Sequence, residues 1–249
     1  MPDPPSHRYW DTVAEQDDAL PDGWRRHGRR AHLDLLCEWV GEPTGRWLKT
    51  DLYEERSAER ALLGHLPTAG WLGMDVSPAT AGQARRAAGV PVLATDVRRT
   101  AIRTGALDGV LSTSTLDHFD DVADLHAALA ELHRVLRPGG VLVLTLDNPR
   151  NPLIRARNAL PPAMARRTGL VPFEVGATLD ADDGGRALAA AGFTVERDAH
   201  LLHAPHVLGT RPARWSWWER RVLPATDRLG GTRLAPYTGH FVAWLARAG

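Results

Sequence analysis

Apolar positions along the chain fall into two kinds of pattern: short unbroken runs, and stripes spaced three and four residues apart. Short apolar-rich segments predict strands at RWLKTDLY, WLGMDVS, VPVLATDV, LDGVLSTSTL and VLVLTL, then in FTVERDA after the glycine stop of a helix, and finally HFVAWLAR. VLVLTL has no polar alternation, which marks a parallel strand buried on both faces. The stripes predict helices between the strands. HGRRAHLDLLCEWV puts Leu33, Leu36, Cys37 and Val40 on one face, and SAERALLGHL reads as a short helix capped by Ser57. SPATAGQARRAAG has Ser77 as cap, Pro78 at the first helical position and Gly89 as stop. VADLHAALAELHRVL carries Leu125, Leu129, Leu132 and Leu136 at helical spacing and ends in RPGG.

Strands alternating with helices at this spacing predict an α/β domain with a doubly wound, seven-stranded, mostly parallel sheet. Ligands of such sheets bind beyond the carboxyl ends of the strands, where strand order reverses. That rule selects positions 51–57, 75–77, 96–98, 114–119 and 147–151. Residues 1–44 read as an N-terminal helical cap and 45–249 as the core. Two irregular stretches near 148–180 and 204–236, rich in proline and arginine, are the expected lid or substrate wall.

Charge narrows the partners. Thirty basic and thirty acidic residues cancel, so no long-range field draws the chain to nucleic acid or an anionic membrane. No apolar run is long enough to span a bilayer and the first residues lack a secretory pattern, which makes a cytoplasmic protein the expectation. One cysteine, Cys37, precludes an intrachain disulfide framework, and its apolar surroundings predict a buried small hydrophobe. Lys49 is the only lysine in the chain. It shares a strand face with Trp47 and Asp51, either as an ion pair with Asp51 or as a ligand clamp.

The ordered series WLGMDVSPATAGQAR, VLATDV, LDGVLSTSTLDHFDD and LHRVLRPGGVLVLTL resembles the core of the class I S-adenosylmethionine-dependent methyltransferases over about 45–147. The resemblance implies S-adenosylmethionine as cofactor. It implies Asp75 as acceptor for the ribose hydroxyls, Asp96 beside the adenine amino group, and Met74 and Val97 flanking the base. Asp75 and Asp96 also have structural readings, as a helix cap and a turn residue. In the family the first strand ends in an acid followed by three alternate glycines. Counting back from Asp75 places Asp51 at the acid and Tyr53, Glu55 and Ser57 at the glycines, so the first loop departs from the pattern. Lys49, Asp51, Tyr53 and Ser114 complete the expected cofactor contacts.

Methyl transfer to a hydroxyl or carbon acid benefits from a base, and His118, Asp117 and Asp147 follow the fourth and fifth strands. His118 has a second reading as lid packing and Asp117 as a helix cap. The three are not expected to hold a metal, and no zinc, nucleophile-elbow or phosphate-loop motif is present. Trp215, Trp217 and Trp218 could cover a substrate or form a homodimer contact, and Arg150, Arg155, Arg157, Arg166 and Arg167 could grip an anion. The expected function is O- or C-methylation of a small molecule. The alternative is the same fold reused without the cofactor, or as a noncatalytic partner.

Overall fold

The computed structural model describes residues 7–15, 22–57, 60–67, 69–159, 176–204 and 217–249. Helices α1 (His7–Glu15) and α2 (Asp22–Val40) precede β1 (Trp47–Thr50). There follow β2 (Trp71–Asp75), α3 (Pro78–Ala88), β3 (Val92–Ala94), β4 (Leu107–Thr113), α4 (Val122–Val135) and β5 (Leu136–Asp147). Next come α5 (Pro152–Asn158), α6 (Ala181–Ala190) and β6 (Phe193–Leu201), then the short helices α7 (Leu223–Asp227) and α8 (Ala235–Thr238), and β7 (Phe241–Ala248).

The seven strands form one sheet in the order β3-β2-β1-β4-β5-β7-β6. β7 runs antiparallel to both its neighbours, and the other pairings are parallel. Order reverses between β1 and β4, which places the crevice there. Period-two alternation splits the core into two layers. Leu48, Val110, Leu142 and Leu144 meet Leu125, Leu129 and Leu132 of α4 on one face. Trp47, Leu111 and Val143 meet Leu35 and Leu36 of α2 on the other. Gly109 is required by that second layer, since a Cβ there would lie 2.4 Å from the Trp47 ring.

Local chemistry sets α3 and α4. Ser77 Oγ accepts from Thr80 N at the start of α3, and Gly89 ends it at φ 68°. Asp121 caps α4 by accepting from Ala123 N, so the capping role considered for Asp117 belongs to Asp121. The helix expected at 57–66 is absent from its described part. Two 3₁₀ turns, Glu54–Arg56 and Leu63–His65, stand around it, because the Glu55 carboxylate takes the Leu62 and Leu63 N–H groups at 3.1 Å each. Cys37 is exposed rather than buried. The inward stripe of α2 runs through His32, Leu35 and Leu36, one position away from the stripe the leucines suggested. Among the described residues no helix is long and apolar enough to cross a membrane.

Candidate active site

A cavity of about 310 Å³ opens along the carboxyl edge of the parallel strands. Met74, Asp75, Asp96 and Val97 line it beyond β2 and β3; Lys49, Asp51, Tyr53 and Ser114 line it beyond the two central strands. Further along, past β5 and β7, the wall is Trp24, His32, Asp147, Arg157, His240 and Phe241.

Asp75 ends β2 with its carboxylate pinned by two backbone donors, Leu52 N to Oδ2 at 2.9 Å and Ser77 N to Oδ1 at 2.8 Å. Burial, and then the charge of Asp51, pushes its pKa up to about 7. Asp96 is differently placed. Arg98 binds both of its oxygens, Nη2 reaching Oδ2 at 2.6 Å, and Arg98 also pairs with Asp124 at 2.8 Å. Against burial, which acts upward, the hydrogen bonds from Arg98 hold Asp96 below the usual carboxylate range. Arg98 thus takes up acceptor sites on both Asp96 oxygens, on a carboxylate that lines the cavity.

The first loop is rebuilt around charge. β1 stops at Thr50, and Asp51 itself turns in the left-handed region at φ 58°, a conformation glycine adopts without strain. Asp51 is therefore the turn residue rather than the last acid of the strand. Its Oδ1 accepts from Tyr53 N at 2.8 Å, and its carbonyl accepts from Lys49 Nζ at 2.6 Å. The expected ion pair of Lys49 with the Asp51 carboxylate is replaced by one with Glu55, 3.6 Å away and fully buried. Arg56 lies over the Tyr53 ring at 3.8 Å, and Arg25 pairs with Glu54. Ser114, at the end of β4, is also left-handed at φ 48°. Two strained turns thus flank the switch point, a pattern that gathers at binding sites.

Of the three groups expected to do chemistry, Asp147 and His118 line the cavity and Asp117 does not. Asp117 sits behind the wall, where Oδ2 accepts from Ser114 Oγ at 2.9 Å and Asp147 N at 3.0 Å. Burial raises its pKa to about 6, the His118 charge acting against that rise and the Asp147 charge adding to it. The His118 ring packs 4.9 Å from Trp10 of α1. Asp147 pairs with Arg157, and His240 Nε2 lies 3.5 Å from its Oδ1. No three His, Cys, Asp or Glu side chains among the described residues are arranged to hold a metal.

His240, His32, Trp24 and Arg98 are site residues the sequence reading did not single out. His32 is neutral, since burial lowers its pKa to about 4; Nδ1 is 2.7 Å from the Gly28 carbonyl and Nε2 3.3 Å from Thr145 Oγ1. The direction of β7 was the missing signal. The ligand edge of an antiparallel strand is its amino end, where His240 stands. Of the arginines grouped as an anion site, Arg150 pairs with Asp180 and Asp182, and Arg157 with Asp147. Arg166, Arg167 and Trp215 lie outside the described residues. Trp217 is exposed and Trp218 half-buried.

A family model described as a methyltransferase domain matches residues 59–144, beginning beyond the rebuilt loop. Solved structures match over nearly the whole chain. One, from Thermotoga maritima, is described as an S-adenosylmethionine-dependent methyltransferase and possible histamine N-methyltransferase. It has 16% identity and a TM-score of 0.59, covering 98% of this chain and 94% of that one. The fold is that of the class I methyltransferases. The N-methyltransferase NodS from Bradyrhizobium japonicum, solved with S-adenosyl-L-homocysteine, shares this methyltransferase fold at 16% identity and a TM-score of 0.57, with 97% of both chains covered. The [4+2]-cyclase SpnF shares it at 17% identity and a TM-score of 0.58, over 94% of this chain and 84% of that one. No curated protein matches the chain.

Proposed function

We propose that this chain transfers a methyl group from S-adenosylmethionine to a small molecule, at an oxygen or carbon acceptor. The observation that carries the reading is Asp75, whose carboxylate lines the cavity at the end of β2. Each oxygen uses one acceptor site on a backbone N–H and keeps another for a hydroxyl, which fits a ribose diol. Met74 and Val97 supply apolar walls for a base. Lys49, Asp51, Tyr53 and Ser114 stand where the amino-acid end would lie, with cationic, anionic and backbone groups suited to an ammonium and a carboxylate. Asp96 joins this set only through its pair with Arg98.

When bound, the cofactor supplies a methyl group on a positively charged sulfur. The chain's part is to orient the acceptor and exclude water. Asp147 is the charged group beside the acceptor, and Asp117 is a positioning residue that ties Ser114 to the Asp147 backbone. His118, in the turn after β4, forms part of the cavity wall together with Trp10 of α1. Crystals grown with S-adenosylhomocysteine test the reading. It requires an ordered nucleoside with both ribose hydroxyls on Asp75, and a nucleoside bound elsewhere would overturn it.

Two observations favour the reuse of this fold without the cofactor. The first loop is closed by the buried Glu55 and its pair with Lys49, and one structural neighbour is named a cyclase. That reading requires folded protein with no affinity for S-adenosylmethionine.

A further inference from the structure

We propose that His240 is the base that takes the acceptor's proton, and that the acceptor is a planar phenol. This inference rests on the methyl-transfer reading above. His240 precedes β7, and the antiparallel register sets Phe241 opposite Asp147. The backbone around it is clamped from both sides. His240 N donates to the Leu201 carbonyl at 2.8 Å, Asn148 N donates to the His240 carbonyl at 2.9 Å, and Asn148 and Asn151 side chains both hold the Gly239 carbonyl. The imidazole lines the cavity with Nε2 held 3.5 Å from Asp147 Oδ1. A carboxylate behind an imidazole fixes its orientation and stabilises the imidazolium that forms.

The chamber's chemistry selects the acceptor. Arg157 already balances Asp147, so this carboxylate is not a lone counter-charge for a cationic amine. His32 is neutral. The rings of Phe241 and Trp24 stand 4.6 and 5.6 Å from the His240 ring, giving flat apolar walls. A planar ring bearing a hydroxyl satisfies the walls and gives the imidazole a proton to take. In the transfer the phenol O–H bond breaks and its proton moves to His240. The oxygen forms the new bond to methyl carbon, and the electron pair of the broken carbon–sulfur bond stays on the donor sulfur.

The test needs no turnover. Para-nitrophenol, whose phenolate absorbs in the visible, is titrated with the cofactor-free protein below the pKa of the free phenol. The expected result is a rise in phenolate absorption on binding to the wild type, lost in His240→Gln and in Asp147→Asn. Near-UV circular dichroism identifies the folded variants, and the conservative His240→Gln decides if Asp147→Asn does not fold. An undiminished phenolate signal in folded His240→Gln overturns the proposal. So does failure of the folded wild type to bind the probe, or binding of the neutral phenol alone. Titration of the same wild-type sample with S-adenosylmethionine keeps the two claims apart, since failure of the cofactor reading appears only there.

Discussion

Asp75 carries a carboxylate into the cavity, and its pKa of about 7 has a consequence for stability. The folded value lies above the ordinary carboxylate value, so the folded state binds the proton more tightly than the unfolded chain. The resulting stabilisation is complete below the ordinary carboxylate pKa and is lost as pH rises through about 7. Urea denaturation at several pH values should show the wild type losing stability over that window more steeply than Asp75→Asn; parallel pH profiles would contradict this. Asp75 was legible in the sequence because it ends an apolar run and precedes a capped helix. Arg98 on Asp96 was not, because a contact two residues away depends on the turn the backbone makes. Asp117 was legible as a residue near the site, but whether it faced the cavity or its back depended on the turn at Ser114.

At the scale of elements, the first loop replaces glycine with a buried ion pair. Lys49 and Glu55 are both buried, and Glu55 also satisfies the N–H groups of Leu62 and Leu63. Glu55→Ala leaves a buried ammonium and two orphaned donors, which should cost about 3–5 kcal/mol and lower the melting temperature by roughly 6–20 °C. Calorimetry checks this; a change below about 1 kcal/mol would show that the pair is solvated. The helix α1 is tied to α3 by a second polar contact: Asp11 Oδ1 accepts from Ser77 Oγ at 2.5 Å and from Ala79 N at 3.2 Å. Asp11→Ala should cost about 1 kcal/mol and expose Trp10, read as a red shift of tryptophan emission. An unchanged spectrum would mean that α1 docks without this latch. α3 and α4 were legible from caps and stripes, local signals that tertiary structure left alone. The helix at 57–66 failed because the nearby Glu55 carboxylate captured the Leu62 and Leu63 backbone donors.

For the molecule as a whole, the seven-stranded, mostly parallel, doubly wound sheet follows from apolar runs alternating with helical stripes, and the sequence carried it; the strand order comes from the structure. The direction of β7 was not in the pattern, since an apolar strand reads the same either way along the sheet. With it went His240, the Asp147 pairing and half of the chamber. The first loop makes a left-handed turn at Asp51 although none of the three expected glycines is present. The proposed function assigns this cavity a nucleoside end at Asp75 and a reacting end at Asp147, both of which line it. Calorimetric titration of wild type and Asp75→Ala with S-adenosylmethionine tests this most directly. The predicted result is saturable binding by the wild type, weakened at least about tenfold in a folded Asp75→Ala, because bonds to a charged acceptor contribute about 1.5–3 kcal/mol each. Equal affinity of the two proteins, or no binding by folded wild type, would contradict it.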